Sequence, residues 1–153
     1  GPGLEEARYS FALAATLAPH QTAPLEEWAS FELRAGQPRA ALLPLERSLA
    51  LDPRQATTHA LLGGAHLALG APAEAEAAYR RALDLQPNLA PALLGLATAL
   101  QQQGRPQEAL EPALRYVEAA PRDPQGLTLL AQVYEALARA EAPEEPPPTA
   151  WGK

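Results

Sequence analysis

Apolar and small side chains recur along this chain in two regular patterns. Within one segment, Leu62 and Leu69 are seven residues apart, which places them on the same face of a helix. Across the whole chain, proline, alanine, glycine and bulky apolar residues return every 34 residues. The four sets are Pro19, Pro53, Pro87 and Pro121; Ala7, Ala41, Ala75 and Ala109; Gly36, Gly70 and Gly104; and Phe11, Leu45 and Tyr79. A period of this length predicts a solenoid of stacked structural units.

Each unit is predicted to contain two helices, A and B, joined by a tight turn. Gly70 gives the backbone the freedom needed to end helix A, and Pro87 cannot continue helix B. Gly63 and Ala75 are small enough to let the two helices approach closely. The aliphatic side chains are almost entirely Leu and Ala, with no Ile, and this composition favours helix over strand.

The best copy of the repeat, residues 56–89, resembles the tetratricopeptide repeat. The residues that carry the resemblance are Leu62-Gly63, Gly70, Ala75, Tyr79, Ala82 and Pro87. The next copy departs from the pattern, because Ala113 takes the usual aromatic position of helix B and Tyr116 takes the usual alanine position. We expect local repacking there. The resemblance implies an all-α fold, a tetratricopeptide-type α-solenoid of antiparallel helix pairs that coils into a right-handed superhelix.

The repeat register divides the chain into predicted segments. They are a protease-cleavage scar at residues 1–3; a repeat array at 4–140, made of a half repeat at 4–21, full repeats at 22–55, 56–89 and 90–123, and a final helix at 124–140; and a proline-rich, flexible tail at 141–153.

Pro44 and Pro112 fall at equivalent places in helix B of two units, where each is expected to bend the helix. We interpret such bends as a change in the curvature of the array, without a catalytic role.

Charge and composition narrow the classes of function. The formal net charge of −6 and the pI near 5.0 oppose nucleic-acid binding, because proteins that bind phosphates cluster Lys and Arg. No stretch approaches about 18 apolar residues, so no membrane insertion is expected. The absence of Cys removes disulfides and thiolate metal sites. The strong preference for Arg over Lys indicates a GC-rich, bacterial genome, and leaves a cytoplasmic or a periplasmic location open.

No group of side chains in the sequence suits catalysis, a cofactor or a metal ion. His59 and His66 share a helix face but are about 10 Å apart along the helix axis, too far for one metal ion to bridge. Both occupy positions where the resembled family packs aromatic side chains, so we expect packed imidazoles. Arg80 is expected to pair with Glu76, four residues earlier on the same helix. The sequence therefore predicts a protein that is not an enzyme and needs no cofactor.

The resemblance implies a concave groove, lined by the A helices, through which members of the family contact their partners. The matching positions are Glu26, Ser30, Leu33, Arg34, Thr57, Ala60, Leu61, Gly64, Leu67, Leu94, Thr98, Gln101, Gln102, Thr128, Gln132 and Glu135. Members that clamp the terminal carboxylate of a peptide use Lys, Arg and Asn here, and only Arg34 fits that role. We therefore predict a noncatalytic scaffold that binds an apolar peptide or helix of a protein partner in this groove.

Two other interpretations stay open at this point. Leu127 and Tyr134 on the final helix lack a helix B, and Phe11 on the first helix lacks a helix A. The two ends are therefore candidates for head-to-tail association of the chain into a homo-oligomer. Alternatively, the array is the targeting arm of a larger enzyme. Trp151, the one large apolar residue of the tail, leaves open whether the tail docks onto the groove or the last helix.

Overall fold

The computed structural model describes residues 1–142 and Pro148, and its ordered elements are α-helices. Their bounds are α1 Pro2–Leu17, α2 Ala23–Arg34, α3 Pro38–Leu51, α4 Ala56–Ala68, α5 Pro72–Leu85, α6 Ala90–Gln102, α7 Pro106–Ala119 and α8 Pro124–Glu141. Helix α1 thus begins before residue 4, the predicted start of the array, and α8 runs one residue past its predicted end. Apart from Pro148, the predicted tail after Ala142, with Trp151, lies outside the described residues.

Three glycines end the helices at the positions that the repeat predicts. Gly36, Gly70 and Gly104 follow α2, α4 and α6 with φ angles of 72°, 73° and 70°. These angles belong to the left-handed region, which costs glycine far less than other residues. The amide after each glycine donates to a carbonyl of the last helical turn at 2.8–3.0 Å. A proline opens the following helix two residues after each glycine, so the chain reverses direction within one short turn.

Helices that are neighbours in sequence pack on one another and build a two-layer solenoid. The pairs α2–α3, α4–α5 and α6–α7 form the repeats, and contacts between α3 and α4 and between α5 and α6 join one pair to the next. Helix α6 also contacts α4 and α8 directly, which is typical of a solenoid in which alternate helices share a layer, with the even-numbered helices in one layer and the odd-numbered helices in the other. The predicted all-α solenoid of antiparallel pairs is confirmed.

Two tyrosines fill the spaces that glycines leave on the facing helices. The ring of Tyr79, on α5, lies between Gly63 of α4 and Gly95 of α6, where an added Cβ would come within 2.8 Å and 2.1 Å of ring carbons. On α7, the ring of Tyr116 leaves only 2.5 Å to a Cβ placed on Gly126 of α8. Tyr79 is 5% exposed, which agrees with its predicted place in the core, and it contacts two successive repeats instead of one.

The third full repeat is repacked as its sequence predicts. Ala113 is buried at the position of the usual aromatic residue, and Tyr116, one turn later, carries the bulk. The Tyr116 hydroxyl donates a hydrogen bond to the carboxylate of Asp123, which also accepts from the Gln125 amide at 3.0 Å and so caps α8. The hydrogen bond from Tyr116, followed by that from the Gln125 amide, lowers the pKa of Asp123.

Both internal prolines lie in the core without ending their helices. Pro44 and Pro112 are buried, and α3 and α7 continue past them to Leu51 and Ala119. A proline has no backbone N–H to donate within the helix. The apolar rings of both prolines pack in the interior of the protein. The predicted change in curvature at these positions stays a prediction.

A buried ion pair joins α1 to α2. The side chain of Glu32 is completely buried, and its carboxylate accepts hydrogen bonds from Arg8 at 2.5 Å and 3.1 Å and from the Trp28 indole at 3.3 Å. These hydrogen bonds satisfy a charge that would otherwise be costly inside the protein. Arg8 therefore ties the half repeat to the first full repeat, an arrangement that the repeat pattern did not predict.

The two histidines of α4 differ in burial. His59 is buried, with Nε2 at 2.9 Å from the carbonyl oxygen of Pro53, and His66 is half-buried. No group of three or more potential metal ligands comes together within residues 1–142.

Candidate functional site

Three cavities open along the layer that contains α2, α4, α6 and α8, and we call this surface the groove. The N-terminal pocket, of about 380 Å³, is lined by Phe11, Ala23, Glu26, Glu27, Ser30 and Arg34. The central pocket, of about 260 Å³, is lined by Thr57, Ala60, Leu61, Tyr79, Leu89 and Pro91. The C-terminal pocket, of about 270 Å³, is lined by Leu94, Thr98, Gln125, Thr128, Leu129 and Gln132.

Most of the residues predicted to line the groove do line one of these pockets. Ten do so: Glu26, Ser30, Arg34, Thr57, Ala60, Leu61, Leu94, Thr98, Thr128 and Gln132. Of the others, Leu33 and Leu67 pack against the core, and Gln102 is exposed and lines none of the three pockets. Glu135 is exposed and forms an ion pair with Arg139 on the same helix. Partner binding through these residues stays a prediction.

The central pocket is apolar apart from the side-chain hydroxyls of Tyr79 and Thr57. None of its six lining residues carries a charge, and Ala60, Leu61 and Leu89 form half-buried walls. Tyr79 reaches it from α5, and its hydroxyl oxygen lies 3.6 Å from where a Cβ of Gly64 would be. This hydroxyl makes no hydrogen bond to any of the residues described. Burial raises the pKa of Tyr79 to about 12, so the phenol is neutral at physiological pH.

The N-terminal pocket is the charged end of the groove. Glu26, Glu27 and Arg34 line it, and no ion pair forms between them in the described part of the chain. The ring of Phe11, from α1, forms its inner wall and packs on Phe31 with the ring centroids 5.2 Å apart. Side chains here can pair with a charge of either sign on a partner.

The C-terminal pocket offers neutral polar groups. The Thr98 hydroxyl donates to the backbone carbonyl of Leu94 at 2.8 Å, and the Gln101 amide donates to the carbonyl of Gln132 at 3.2 Å, which connects α6 to α8. The Gln101 Oε1 atom is buried without a partner among the residues described. The groove thus changes from charged, through apolar, to neutral polar along its length.

The sequence did not identify several of the lining residues. Tyr79 was assigned to the core alone, and Leu89, the N-cap of α6, and Pro91, in the first turn of α6, are outside the helix A positions that the resemblance marks. The signal that could have found Tyr79 is Gly64. Gly64 has no side chain and directly follows Gly63, against which the ring packs, so the end of that ring can reach the groove.

The strongest cluster of charges lies outside the groove. Glu76 accepts hydrogen bonds from Arg80 at 2.9 Å, as predicted, and also from Arg105 at 2.6 Å and Gln103 at 3.0 Å. Burial opposes ionisation of Glu76, but the hydrogen bonds from Gln103, Arg80 and Arg105 outweigh it and hold the pKa at about 2. This network joins α5 to the start of α7 and has a structural role.

The two ends of the array differ from each other. On α8, Leu127 and Tyr134 are 47% and 49% exposed, whereas Leu93 and Leu100, which stand 34 residues earlier on α6 under α7, are each 1% exposed. Among the residues described, none therefore covers this end face of α8. Phe11 is different, because it is half-buried against Phe31 within its own chain. The part of Phe11 in self-association stays a prediction.

No helix in the described part of the chain is long and apolar enough to cross a membrane.

Comparisons with known proteins agree with this architecture. Two family models described as tetratricopeptide repeat match residues 27–90 and residues 66–133. A search of curated protein sequences found no match.

Several solved structures share the fold. The crystal structure of MamA protein superposes with a TM-score of 0.82 at 20% identity, over 90% of this chain and 75% of that chain. The first TPR of Spaghetti (RPAP3), bound to the HSP90 peptide SRMEEVD, gives a TM-score of 0.74 at 20% identity, over 76% of this chain and 93% of that one. The second TPR domain of human RPAP3, in complex with the HSP70 peptide SGPTIEEVD, gives 0.68 at 22% identity, over 72% and 92%.

The two matched segments together run without a gap from residue 27 to residue 133, and the helix pairs, the glycine turns and the structural neighbours all agree with them. The chain belongs to the tetratricopeptide repeat family.

Proposed function

We propose that this chain is a noncatalytic protein-interaction module whose groove binds a neutral, apolar segment of a protein partner. The observation that carries the proposal is the central pocket, which is concave, apolar and free of charged lining residues. Repeat folds of this kind host many different partners, so the argument for a partner has to come from the pocket and not from the fold. A pocket of about 260 Å³ suits one apolar anchor side chain, and such anchors supply most of the affinity in peptide recognition.

The charges that line the groove favour a partner segment that is less acidic than the peptides bound by the structural neighbours. The peptides bound by the two RPAP3 domains are acidic at their C-terminal ends. In this chain the N-terminal pocket contains two glutamates against the single Arg34, and the central and C-terminal pockets contain no basic residue. An acidic peptide terminus would lie among carboxylates and neutral groups here, so a segment without a charged terminus fits better.

A peptide selection tests this function. Random twelve-residue peptides displayed on phage are selected on the immobilised chain, and the enriched peptides are then synthesised and titrated against variants at Gly64. Gly64→Arg places a long charged side chain over the central pocket. Gly64→Ala is its matched control, because the added methyl makes only an ordinary contact of 3.6 Å with the Tyr79 hydroxyl.

We expect enriched peptides that carry a Leu, Ile or Phe anchor and that bind the wild-type chain and Gly64→Ala with similar affinity. Binding to Gly64→Arg should fall by more than tenfold. If no peptide is enriched, or if the enriched peptides bind Gly64→Arg as well as Gly64→Ala, the groove is not the binding site.

A second candidate function, self-association through the ends, is favoured by the open face of α8. Half-exposed Leu127 and Tyr134 occupy positions whose equivalents on α6 are covered by α7. Docking this face on α1 of another copy would rebuild a helix pair in a head-to-tail contact. Light scattering over a wide range of concentrations tests it, with Tyr134→Glu as the disrupting variant. A strict monomer at every concentration would exclude it, and Phe11→Glu is a poor reagent because Phe11 packs inside its own chain.

A further inference from the structure

The Tyr79 hydroxyl is a polar group that the fold itself does not use. The ring is held between Gly63 and Gly95, and this clamp directs the phenol toward the central pocket, next to Gly64. Tyr116, the other core tyrosine, donates its hydroxyl to Asp123, whereas the Tyr79 hydroxyl has no partner among the residues described. A phenol hydroxyl in an apolar setting usually has a hydrogen-bond partner.

The surroundings of this hydroxyl indicate what kind of partner it takes. Ala60, Leu61, Leu89 and Pro91 surround it with apolar surface, and Thr57 at the rim is the only other lining residue with a polar side chain. A charged group placed here would lose its water without gaining a counter-charge. A neutral hydrogen-bonding group beside an apolar side chain meets both requirements.

An extended peptide offers free backbone hydrogen-bonding groups beside each of its side chains, whereas the interior of a helix offers such a group only where it carries a polar side chain. In an α-helix the backbone N–H and C=O groups are already paired within the helix, whereas an extended strand leaves them free. We infer that the groove recognises an extended segment, with a Leu- or Phe-sized side chain in the central pocket and a backbone group hydrogen-bonded to the Tyr79 hydroxyl. The inference rests on the proposed function of the groove. It adds a specificity-determining residue and selects the extended form over the helical one.

The state of the phenol agrees with this role. With its pKa raised by burial, Tyr79 stays protonated at neutral pH and keeps both a hydrogen to donate and an oxygen to accept. It can therefore pair with either a backbone carbonyl or an amide of the bound segment.

The test uses the full chain and the synthetic peptides enriched by the phage selection. Tyr79→Phe removes the hydroxyl and keeps the ring between its two glycines. The matched control is Tyr116→Phe, which removes the other buried hydroxyl at a site that lines none of the three pockets. We expect Tyr79→Phe to weaken binding about three- to tenfold, the value of one hydrogen bond, and Tyr116→Phe to leave the affinity unchanged.

Three further measurements test how the peptide is bound. In the wild-type chain, the ring ¹³Cζ resonance of Tyr79 should shift when the peptide saturates the groove, because this carbon reports hydrogen bonding at the hydroxyl. Far-UV circular dichroism of the complex should show no helix beyond the sum of the free components. Replacing the peptide's anchor residue by Ala should abolish binding to the wild-type chain and to Tyr79→Phe alike.

The outcomes distinguish this inference from the function on which it rests. If peptides bind and are blocked by Gly64→Arg, but Tyr79→Phe binds as tightly as the wild type or the bound peptide is helical, the groove function stands and the inference is wrong. If the selection enriches no peptide for the wild-type groove, the proposed function and the inference fail together.

Discussion

Replacing Gly95 by alanine should destabilise the array, although alanine is the better helix former. A Cβ at residue 95 would lie 2.1 Å from Cζ and 2.4 Å from Cε1 of Tyr79. Carbon atoms in good contact are about 3.5 Å apart or more, so the ring would have to move by roughly 1.4 Å. Gly63 closes the other side of the ring, where a Cβ would also be too close, at 2.8 Å. The ring therefore has little room to move.

The expected free-energy change follows from two opposing terms. Overpacking of a core costs about 1–3 kcal/mol, and the clamp around Tyr79 favours the upper end of that range. The gain in helix propensity from Gly to Ala returns up to about 1 kcal/mol. The net destabilisation is about 2 kcal/mol, which corresponds to a fall in Tm of about 4–8 °C for a chain of this size. Chemical denaturation and calorimetry of Gly95→Ala measure it.

A double-mutant cycle identifies the cause. In a Tyr79→Leu background the ring is gone, and leucine is a reasonable choice because Leu45, 34 residues earlier, is fully buried at the equivalent position. There Gly95→Ala should become neutral or stabilising by up to about 1 kcal/mol, since only helix propensity remains. Gly64→Ala in the wild-type chain is the control, and it should stabilise, because its Cβ would make only an ordinary contact. If Gly95→Ala lowers stability equally in both backgrounds, or raises it in the wild type, then the ring does not clamp this position.

Three other predictions follow from the charges and the groove. Arg8→Ala should lower Tm more than Arg139→Ala, because it leaves the fully buried carboxylate of Glu32 without its charged partner, whereas Arg139 pairs with an exposed glutamate; equal melting temperatures would contradict this. The pKa of Glu76 is depressed from 4.5 to about 2, so its stabilising contribution is present above about pH 4.5 and is lost as the pH falls toward 2. The difference in Tm between the wild type and Glu76→Gln should accordingly shrink over that interval, and a constant difference would show that Glu76 is not held ionised by its neighbours. Peptide binding at the central pocket should depend only weakly on salt between low and high ionic strength, because no charged residue lines that pocket; a steep fall in affinity would indicate a charged contact instead.

The sequence by itself determined the architecture, because the features that specify it are local. A residue with a positive φ angle has to be glycine at nearly every such turn, and a proline opens the next helix, so Gly36, Gly70 and Gly104 mark the helix ends without knowledge of the fold. The 34-residue period then requires each unit to stack on the next one. For the same reason, the helix A positions that face the groove could be predicted from their place in the repeat.

Only the tertiary structure decided which side chains meet across repeats. Tyr79 is set between glycines of two different units, and Arg8 reaches Glu32 from the half repeat, 24 residues away in sequence. Tyr79 occupies a repeated bulky position, but neither contact follows from the period, because Gly63, Gly95, Arg8 and Glu32 do not recur as residue types at 34-residue intervals. The same holds for the central pocket, whose walls come from α4, α5 and the N-terminal end of α6. Side-chain size and charge at such junctions are set by packing between elements, and packing depends on the three-dimensional fit that a local pattern does not contain.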